Sequence, residues 1–347
     1  MPEIWRKTYT KQNLLSRLGD IRQVAGVVPF ELVDGSERGV RAARLYNAAG
    51  LDLTVVPDRG MSVTYLAYKG IPLSYLSPVG TVHPAFQEPT PTGWLRVWSG
   101  GFLTPCGLTQ VGRSCEDNGE FLGTHGRVAG SPAWQVRWGN EWNGDDLEIW
   151  IAGMVRETRV FGENIVLHRK ISTTLGEPSL WIEDRVVNEG FSPVPHMFLQ
   201  HFNLGFPLIS PATYLVLPER LTTARDETAQ PGLNTCCEFS EPVAGYKEQV
   251  FYHDLKEDEK GEVGVKVINP SFNSTQSLSV SFHYLKKDYP ILVEWKMMGE
   301  GMYVLGIEPS ICHVGGRVAE RNLGTLTILQ PQEERRYQIK VDFGLEN

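Results

Sequence analysis

Short runs of alternating apolar and polar residues, separated by glycine and proline, constrain the fold of this chain more than any other feature. The 347 residues include 35 glycines and 22 prolines spread along the whole length. Alternation is the pattern of strands whose successive side chains point to opposite faces of a sheet. Helical periodicity is confined to residues 11–18, which predict one short helix. Many short strands without intervening helices predict an all-β fold, a large antiparallel sandwich or a barrel.

Two hairpins can be placed on this pattern. Leu51, Leu53 and Val55 share one face of a first strand, and after a turn at 57–60 the alternation resumes with Met61, Val63 and Tyr65. The segment 147–173 predicts a second hairpin that turns at 162–164. Alternating runs follow at 278–284 and 337–343. The sequence shows no repeat with a period of 20–50 residues, and no low-complexity linker divides it. We therefore expect one domain over residues 1–347.

Composition excludes several classes of protein. The formal net charge is −8, from 33 basic and 41 acidic residues, and no basic run suggests a nucleic-acid partner. The sequence contains no stretch of 18 apolar residues that could span a membrane. Its first residues lack the apolar core of a secretory signal, so we expect a cytoplasmic protein. The five cysteines show no CxxC or zinc-finger spacing, which predicts free thiols. The nucleotide-binding patterns GxxxxGK[ST] and GxGxxG and the hydrolase GxSxG are missing.

A glycine-flanked segment, 123–130, carries the first candidate site residues. It contains His125 and Arg127 between glycines that would let the backbone approach a ligand closely. The alternative is an ordinary exposed turn.

The second candidate lies on a predicted strand at 195–205. Its alternation places His201 and Asn203 on one face, whereas His196 has the opposite parity. The two histidines should therefore not reach one pocket, which weakens a two-histidine metal site. A hydrogen-bonded structural histidine is the alternative.

The third candidate is Glu308, a carboxylate at the end of the apolar run 303–307. Pro309 restricts its backbone to extended conformations. Burying a carboxylate is costly, so a buried glutamate is either paired or functional.

These segments resemble the aldose 1-epimerases, or galactose mutarotases. His125 and Gly126, with Gly130 and Trp134, are similar to the family's HG…G…W element, and the sequence 201–204 resembles its H-x-[YF]-N-L strand. Residues 306–309 lie where the family keeps its catalytic glutamate. The segments 58–61 and 100–108 resemble a divergent, poorly characterised bacterial branch.

The resemblance implies a galactose mutarotase-like β-sandwich and a cofactor-independent isomerase that interconverts the α and β anomers of a monosaccharide or sugar derivative. It implies Glu308 as the base, His201 as the acid and His125 as an assisting group at the ring oxygen. Glutamate and histidine have ordinary pKa values of roughly 4.3 and 6.5, which suits these roles near neutrality. A Glu308 carboxylate close by would help to keep His201 protonated.

Sugar-binding residues match the family less closely. The family's Asn-Arg pair upstream of the HG element is replaced by residues 107–110, and Arg59 and Arg127 are candidate substitutes. Asn203 is a further candidate, and Asp226 is the counterpart of a sugar-binding aspartate. The candidates for a stacking wall are Trp94, Trp98, Trp134 and Phe202.

Two alternatives remain open. One is another carbohydrate isomerase or epimerase on the same scaffold that abstracts a C–H proton with a divalent metal, for which His196 and His313 are spare ligands. The other is a carbohydrate-binding protein without catalysis. The leading interpretation needs no cofactor and no metal, and its partner is a small-molecule carbohydrate. Phosphorylated sugars would require an arginine cluster from Arg59, Arg127 and Arg225. The oligomeric state stays open, with a homodimer among the options.

Overall fold

The computed structural model describes residues 1–273 and 275–346. About 50% of it is strand and 11% helix, which confirms the all-β prediction. The strands of the first half are β1 (Glu3–Ile4), β2 (Lys7–Thr8), β3 (Gly26–Glu31), β4 (Arg41–Tyr46), β5 (Leu51–Val56), β6 (Ser62–Tyr68), β7 (Ile71–Pro72), β8 (Tyr75–Leu76), β9 (Gly100–Gly101), β10 (Leu103–Leu108), β11 (Cys115–Asp117), β12 (Glu120–Leu122), β13 (Trp134–Asn143), β14 (Asp146–Thr158) and β15 (Asn164–Thr174). Those of the second half are β16 (Ser179–Asn188), β17 (Val194–Leu204), β18 (Tyr214–Val216), β19 (Arg220–Ala224), β20 (Gln249–Leu255), β21 (Glu262–Asn269), β22 (Ser277–Leu285), β23 (Ile291–Gly299), β24 (Met302–Ser310), β25 (Thr327–Leu329) and β26 (Glu334–Glu346).

The α-helices are short. Helix α1 (Lys11–Leu15) begins where the Thr10 side chain accepts a hydrogen bond from the Asn13 amide, and it ends three residues earlier than predicted. Helix α2 (Arg317–Leu323) ends at Gly324, in the left-handed conformation common at helix ends. Among the described residues, none of the helices is both long and apolar enough to cross a bilayer.

Two antiparallel sheets contain most of the strands. The larger runs β19-β20-β23-β24-β17-β10-β6-β5-β4-β3, with β25 paired to β17 and β7 to β6. The smaller runs β13-β14-β15-β16-β26-β22-β21-β18. They pack face to face around an aromatic core in which Phe202 of the larger sheet lies 4.9 Å from Phe282 of the smaller, ring centre to ring centre. The structure is therefore a large antiparallel β-sandwich.

A β-bulge corrects one detail of the first predicted hairpin. Val55 pairs with Val63, but Thr54 pairs with Tyr65, so one extra residue lies on β6 between the two pairs. The extra residue reverses the facing of the later positions of β6, and Tyr65 is exposed whereas Leu66 is buried. Placing Tyr65 on the face of Val63 was therefore wrong.

A buried polar cluster joins the two sheets behind β17. Arg169 donates hydrogen bonds to both carboxylate oxygens of Asp184, at 2.8 and 2.6 Å, within the smaller sheet. Its guanidinium also donates to Gln200 Oε1 at 2.7 Å, and Gln200 belongs to the larger sheet. This cluster fixes the backbone next to His201.

Candidate active site

A cleft of about 540 Å³ opens on the face of the larger sheet that is turned away from the smaller one. Phe202 and Ile307, paired across β17 and β24, point into the sandwich core, so alternation turns their neighbours His201 and Glu308 to the cleft. His125 lines the same cleft from the loop before β13. The structure thus brings these three residues together.

Three tryptophans form the apolar wall of the cleft. Trp94 and Trp98 stack with ring centres 5.3 Å apart, and Trp98 meets Trp295 edge-on at 5.6 Å. Trp94 and Trp98 were predicted for such a wall, whereas Trp295 was missed because no local sequence pattern distinguishes it from a tryptophan packed in the core. Trp134 is largely exposed and Phe202 is in the core, so neither belongs to the wall.

His201 and Glu308 form the central pair. Nε2 of His201 lies 3.1 Å from Oε1 of Glu308, and the residues are only 5% and 2% exposed. These two atoms are close enough to exchange a proton, but they are not aligned as a hydrogen bond, and Oε1 of Glu308 has no hydrogen-bond partner among the described residues. The other ring nitrogen of His201, Nδ1, has no partner among them either. Buried polar atoms without partners are rare, and in a cleft they fit the hydroxyl groups of a ligand.

Burial favours the neutral form of both members of the pair. It raises the pKa of Glu308 well above its usual value, and the Glu248 carboxylate acts in the same direction. It lowers the pKa of His201 well below its usual value, and His125 adds to this effect. Desolvation therefore acts against the effect expected of a Glu308 carboxylate, which was to help keep His201 protonated.

His125 is held by a strained turn. Its φ is +56°, a left-handed conformation that costs a residue with a Cβ about 1–3 kcal/mol. Gly126 follows at φ +75°, and a Cβ there would overlap the carbonyl of Gly107. The His125 amide donates to the Gly112 carbonyl at 2.9 Å, and its Nδ1 accepts from the Gly112 amide at 3.4 Å. Burial lowers the pKa of His125 to about 4, which favours the neutral ring, and because Nδ1 accepts from Gly112 the neutral ring carries its hydrogen on Nε2.

Arg225 and Glu248 complete the polar part of the lining. The Arg225 guanidinium donates to one oxygen of Glu248 at 2.9 Å, and the indole N–H of Trp295 donates to the other at 2.9 Å. Glu248 was not predicted. It lies in a polar loop between β19 and β20, and no sequence pattern distinguishes it from a solvated residue.

The structure places Arg59 and Arg127 outside the lining of the cleft. Arg59 is 4% exposed and donates to the Val97 carbonyl at 2.9 Å, and burial lowers its pKa to about 10. Arg127 lies over a neighbouring depression, within 3.5 Å of the carboxylates of Glu120 and Glu157.

Asn203 and Asp226 also lie outside it. Asn203 is completely buried and donates from Nδ2 to the His201 carbonyl at 3.0 Å, so it supports the backbone of the pair. Asp226 accepts from Arg225 at 2.7 Å in an adjacent depression.

The spare histidines are both engaged elsewhere. His196 points to the opposite side of β17, as its parity predicted, and bonds the Leu108 carbonyl at 3.0 Å and the Tyr337 hydroxyl at 2.9 Å. His313 contacts Glu320 at 3.1 Å outside the cleft. The metal-assisted alternative therefore lacks the two ligands that the sequence suggested for it.

A larger depression, about 660 Å³, crosses the smaller sheet. Its buried charges, Arg169 and Asp184, are already bonded to each other. We place the candidate site in the tryptophan-lined cleft, where a buried acid and base face open space.

A family model described as "Domain of unknown function (DUF4432)" matches residues 37–343. The chain belongs to this family. No curated protein matches it. Solved structures show that this DUF4432 protein has a galactose mutarotase-like β-sandwich fold.

Three of these structures show the range of similarity. A crystal structure described as a "putative aldose 1-epimerase" from Klebsiella pneumoniae superposes with a TM-score of 0.85 at 22% identity, covering 92% of this chain and 88% of that one. A galactose mutarotase-like protein from Clostridium acetobutylicum gives 0.59 at 16% identity, with coverage of 94% and 99%. Galactose 1-epimerase from Lactobacillus acidophilus gives 0.56 at 12% identity, with coverage of 93% and 100%. At these identities the similarity establishes the fold.

Proposed function

We propose that the protein is a cofactor-independent aldose 1-epimerase that exchanges the anomers of a monosaccharide or sugar derivative in the tryptophan-lined cleft. The observation that carries the proposal is the buried pair, with Nε2 of His201 3.1 Å from Oε1 of Glu308. Anomer exchange needs one group to remove a proton from O1 and another to protonate the ring oxygen. A carboxylate and an imidazole in contact meet both needs with a single proton between them.

The proton count balances through the reaction. During ring opening, the Glu308 carboxylate takes the O1 proton as the C1=O1 double bond forms. The C1–O5 bond breaks, and O5 takes a proton from the His201 imidazolium. The pair is then neutral and the sugar is an open-chain aldehyde. Rotation about C1–C2 presents the other face of the carbonyl, and reclosure reverses both transfers.

The electrostatics of the cleft support this sequence of states. Burial shifts the pKa of Glu308 upwards and that of His201 downwards, and both shifts favour the neutral pair that accompanies the open-chain sugar. Sugar hydroxyls that donate to Glu308 would favour the ion pair that accompanies the cyclic form. Together these effects bring the two states close in free energy, so that neither proton transfer is strongly uphill.

The surroundings supply sugar contacts of two kinds. Trp94, Trp98 and Trp295 offer apolar surface to the C–H faces of a pyranose. The Nε2–H of His125 can donate to the ring oxygen or a neighbouring hydroxyl. The Arg225–Glu248 pair at the edge of the cleft offers a donor and an acceptor to more distant hydroxyls.

Saturation-transfer NMR on a panel of freshly dissolved sugars and sugar derivatives tests the proposal, because it detects anomer exchange directly. We expect enzyme-dependent transfer between the α and β anomeric signals of at least one sugar. New signals from epimerisation at a carbon other than C1 would instead indicate the C–H-abstracting isomerase. Ligand line broadening without any exchange would indicate a carbohydrate-binding protein.

A further inference from the structure

A second cluster of reactive side chains lies on the opposite face of the larger sheet from the cleft. His253 of β20 and Glu294 of β23 are both 0% exposed, and Cys236, in the loop between β19 and β20, is 4% exposed. Each offers one ligand atom, and the three atoms lie within 4.8 Å of one another. We propose that Cys236, His253 and Glu294 bind a zinc ion that holds this loop to the sheet.

The carboxylate of Glu294 is the first argument. Oε2 of Glu294 contacts Nε2 of His253 at 2.9 Å, but Oε1 has no hydrogen-bond partner among the described residues. A buried carboxylate oxygen without a partner costs free energy that a bound cation would remove. Trp295, the next residue along β23, points to the cleft, so this carboxylate takes no part in the lining of the candidate active site.

The orientation of His253 is the second argument. Its Nδ1 lies 2.9 Å from the hydroxyl of Thr222, the residue directly opposite it on β19. Metal-binding histidines commonly use their second ring nitrogen in this way, which fixes the ring and leaves the other nitrogen free to coordinate. Here that nitrogen, Nε2, points at Glu294.

The donor set selects the metal. One thiolate, one imidazole and one carboxylate is a mixed sulfur, nitrogen and oxygen set that suits Zn²⁺, with water in the fourth position. The two anionic ligands would offset the charge of the ion. Lys296 lies close by, but its ammonium donates to the Thr235 carbonyl at 2.9 Å.

The site has a structural consequence for the cleft. Cys236 belongs to the same connection between β19 and β20 that supplies Arg225 and Glu248 to the cleft. A zinc ion would tie the middle of this connection to β20 and β23. The proposal does not depend on the activity proposed for the cleft.

Metal content tests the proposal directly. The full-length protein, incubated with Zn²⁺ and dialysed against metal-free buffer, should retain about one zinc per chain by mass spectrometry. Cys236→Ser and His253→Gln should lose most of it, whereas Cys115→Ser, which removes a thiol elsewhere, should retain it. Zinc far below one equivalent in the wild type, or equal retention in all variants, would show that the cluster is only a buried hydrogen-bond network.

A measurement on the wild type keeps the proposal testable if the ligand variants misfold. Co²⁺ added to the metal-stripped protein should produce thiolate-to-cobalt charge-transfer absorption and the visible bands of tetrahedral cobalt, and added Zn²⁺ should abolish them. Thr222→Val keeps all three ligands and should weaken Zn²⁺ binding about 10–100-fold, the usual effect of losing a partner of a ligating histidine. No thiolate-to-cobalt band in the wild type would overturn the proposal.

Discussion

The proposed reaction depends on one proton shared by two side chains of the cleft. His201 and Glu308 are in contact at 3.1 Å and almost completely buried, so the pKa of each depends on the state of the other. The pair acts while it holds exactly one proton, whichever residue carries it. A second proton would remove the base, and loss of the only proton would remove the acid.

This one-proton requirement predicts a bell-shaped pH dependence of exchange. The pair takes up a second proton, on His201, only at low pH, because burial lowers the pKa of His201, so the rate should fall on the acid side. The pair loses its only proton, from Glu308, at high pH, because burial raises the pKa of Glu308, so the rate should fall on the alkaline side. Between these limits we expect a plateau, measured as kcat/KM in buffers of constant ionic strength.

The Glu308→Gln variant assigns the roles within the pair. If His201 protonates the ring oxygen, the residual exchange should increase as the pH is lowered towards the pKa of His201. If the residual exchange increases with rising pH instead, His201 is the base in ring opening and the assignment proposed here is wrong.

His125 is expected to bind the sugar as a hydrogen-bond donor. Asparagine tolerates the left-handed conformation of this position, so His125→Asn should keep the turn while removing the imidazole Nε2–H. We expect KM to rise by about 10-fold, the value of one neutral hydrogen bond, with a smaller change in kcat. A fall in kcat of the size seen for Glu308→Gln would place His125 among the proton-transferring groups.

Among the residues of the cleft, those that stand out in the local sequence could be predicted, and those that do not stand out were missed. His201 and Glu308 stand out as polar residues in apolar strands, and the family resemblance linked them. Trp295 and Glu248 reach the cleft only because β23 and the β19–β20 loop fold beside β24, which no local pattern records. Arg59 was singled out for its charge, but its contacts are those of a buried structural residue.

The pairing register of β17 and β24 brings the residues of the site together. Phe202 pairs with Ile307 across β17 and β24, and this register alone brings His201 beside Glu308. A shift by one residue would turn one of the pair into the core. The bulge in β6 shows why such details are hard to predict, since alternation reveals a strand but not an inserted residue.

The buried cluster behind β17 should be essential for this register. Asp184→Asn leaves the Arg169 guanidinium buried without its anionic partner, and we expect a loss of about 3–5 kcal/mol in the free energy of unfolding. Urea denaturation followed by tryptophan fluorescence measures it. Glu219→Gln, which breaks the exposed ion pair with Lys256, is the matched control and should change stability far less. Equal losses in the two variants would mean that the cluster does not hold the sheets together.

Over the whole molecule, the sequence predicted the fold class but not the arrangement of the sheets. Alternation between turns identified strands such as β14, β15 and β22, and a chain built of such strands has to bury their apolar faces in a sandwich or barrel. The order of strands depends on long-range pairs such as β17 with β10 and β16 with β26. The family resemblance, rather than the pattern, supplied that architecture.

The most direct test of the proposed chemistry is the rate of anomer exchange, by saturation-transfer NMR, in the wild type, Glu308→Gln, His201→Gln and the double variant. Each single change should lower the rate by about 10²–10⁴-fold with little change in sugar affinity, because each removes a proton-transferring group. The double variant should be little worse than the poorer single one, since both residues serve one step. Glu300→Gln, at an exposed turn, should behave as the wild type. Full exchange in Glu308→Gln together with a loss of stability would contradict the proposed chemistry and make Glu308 a structural residue.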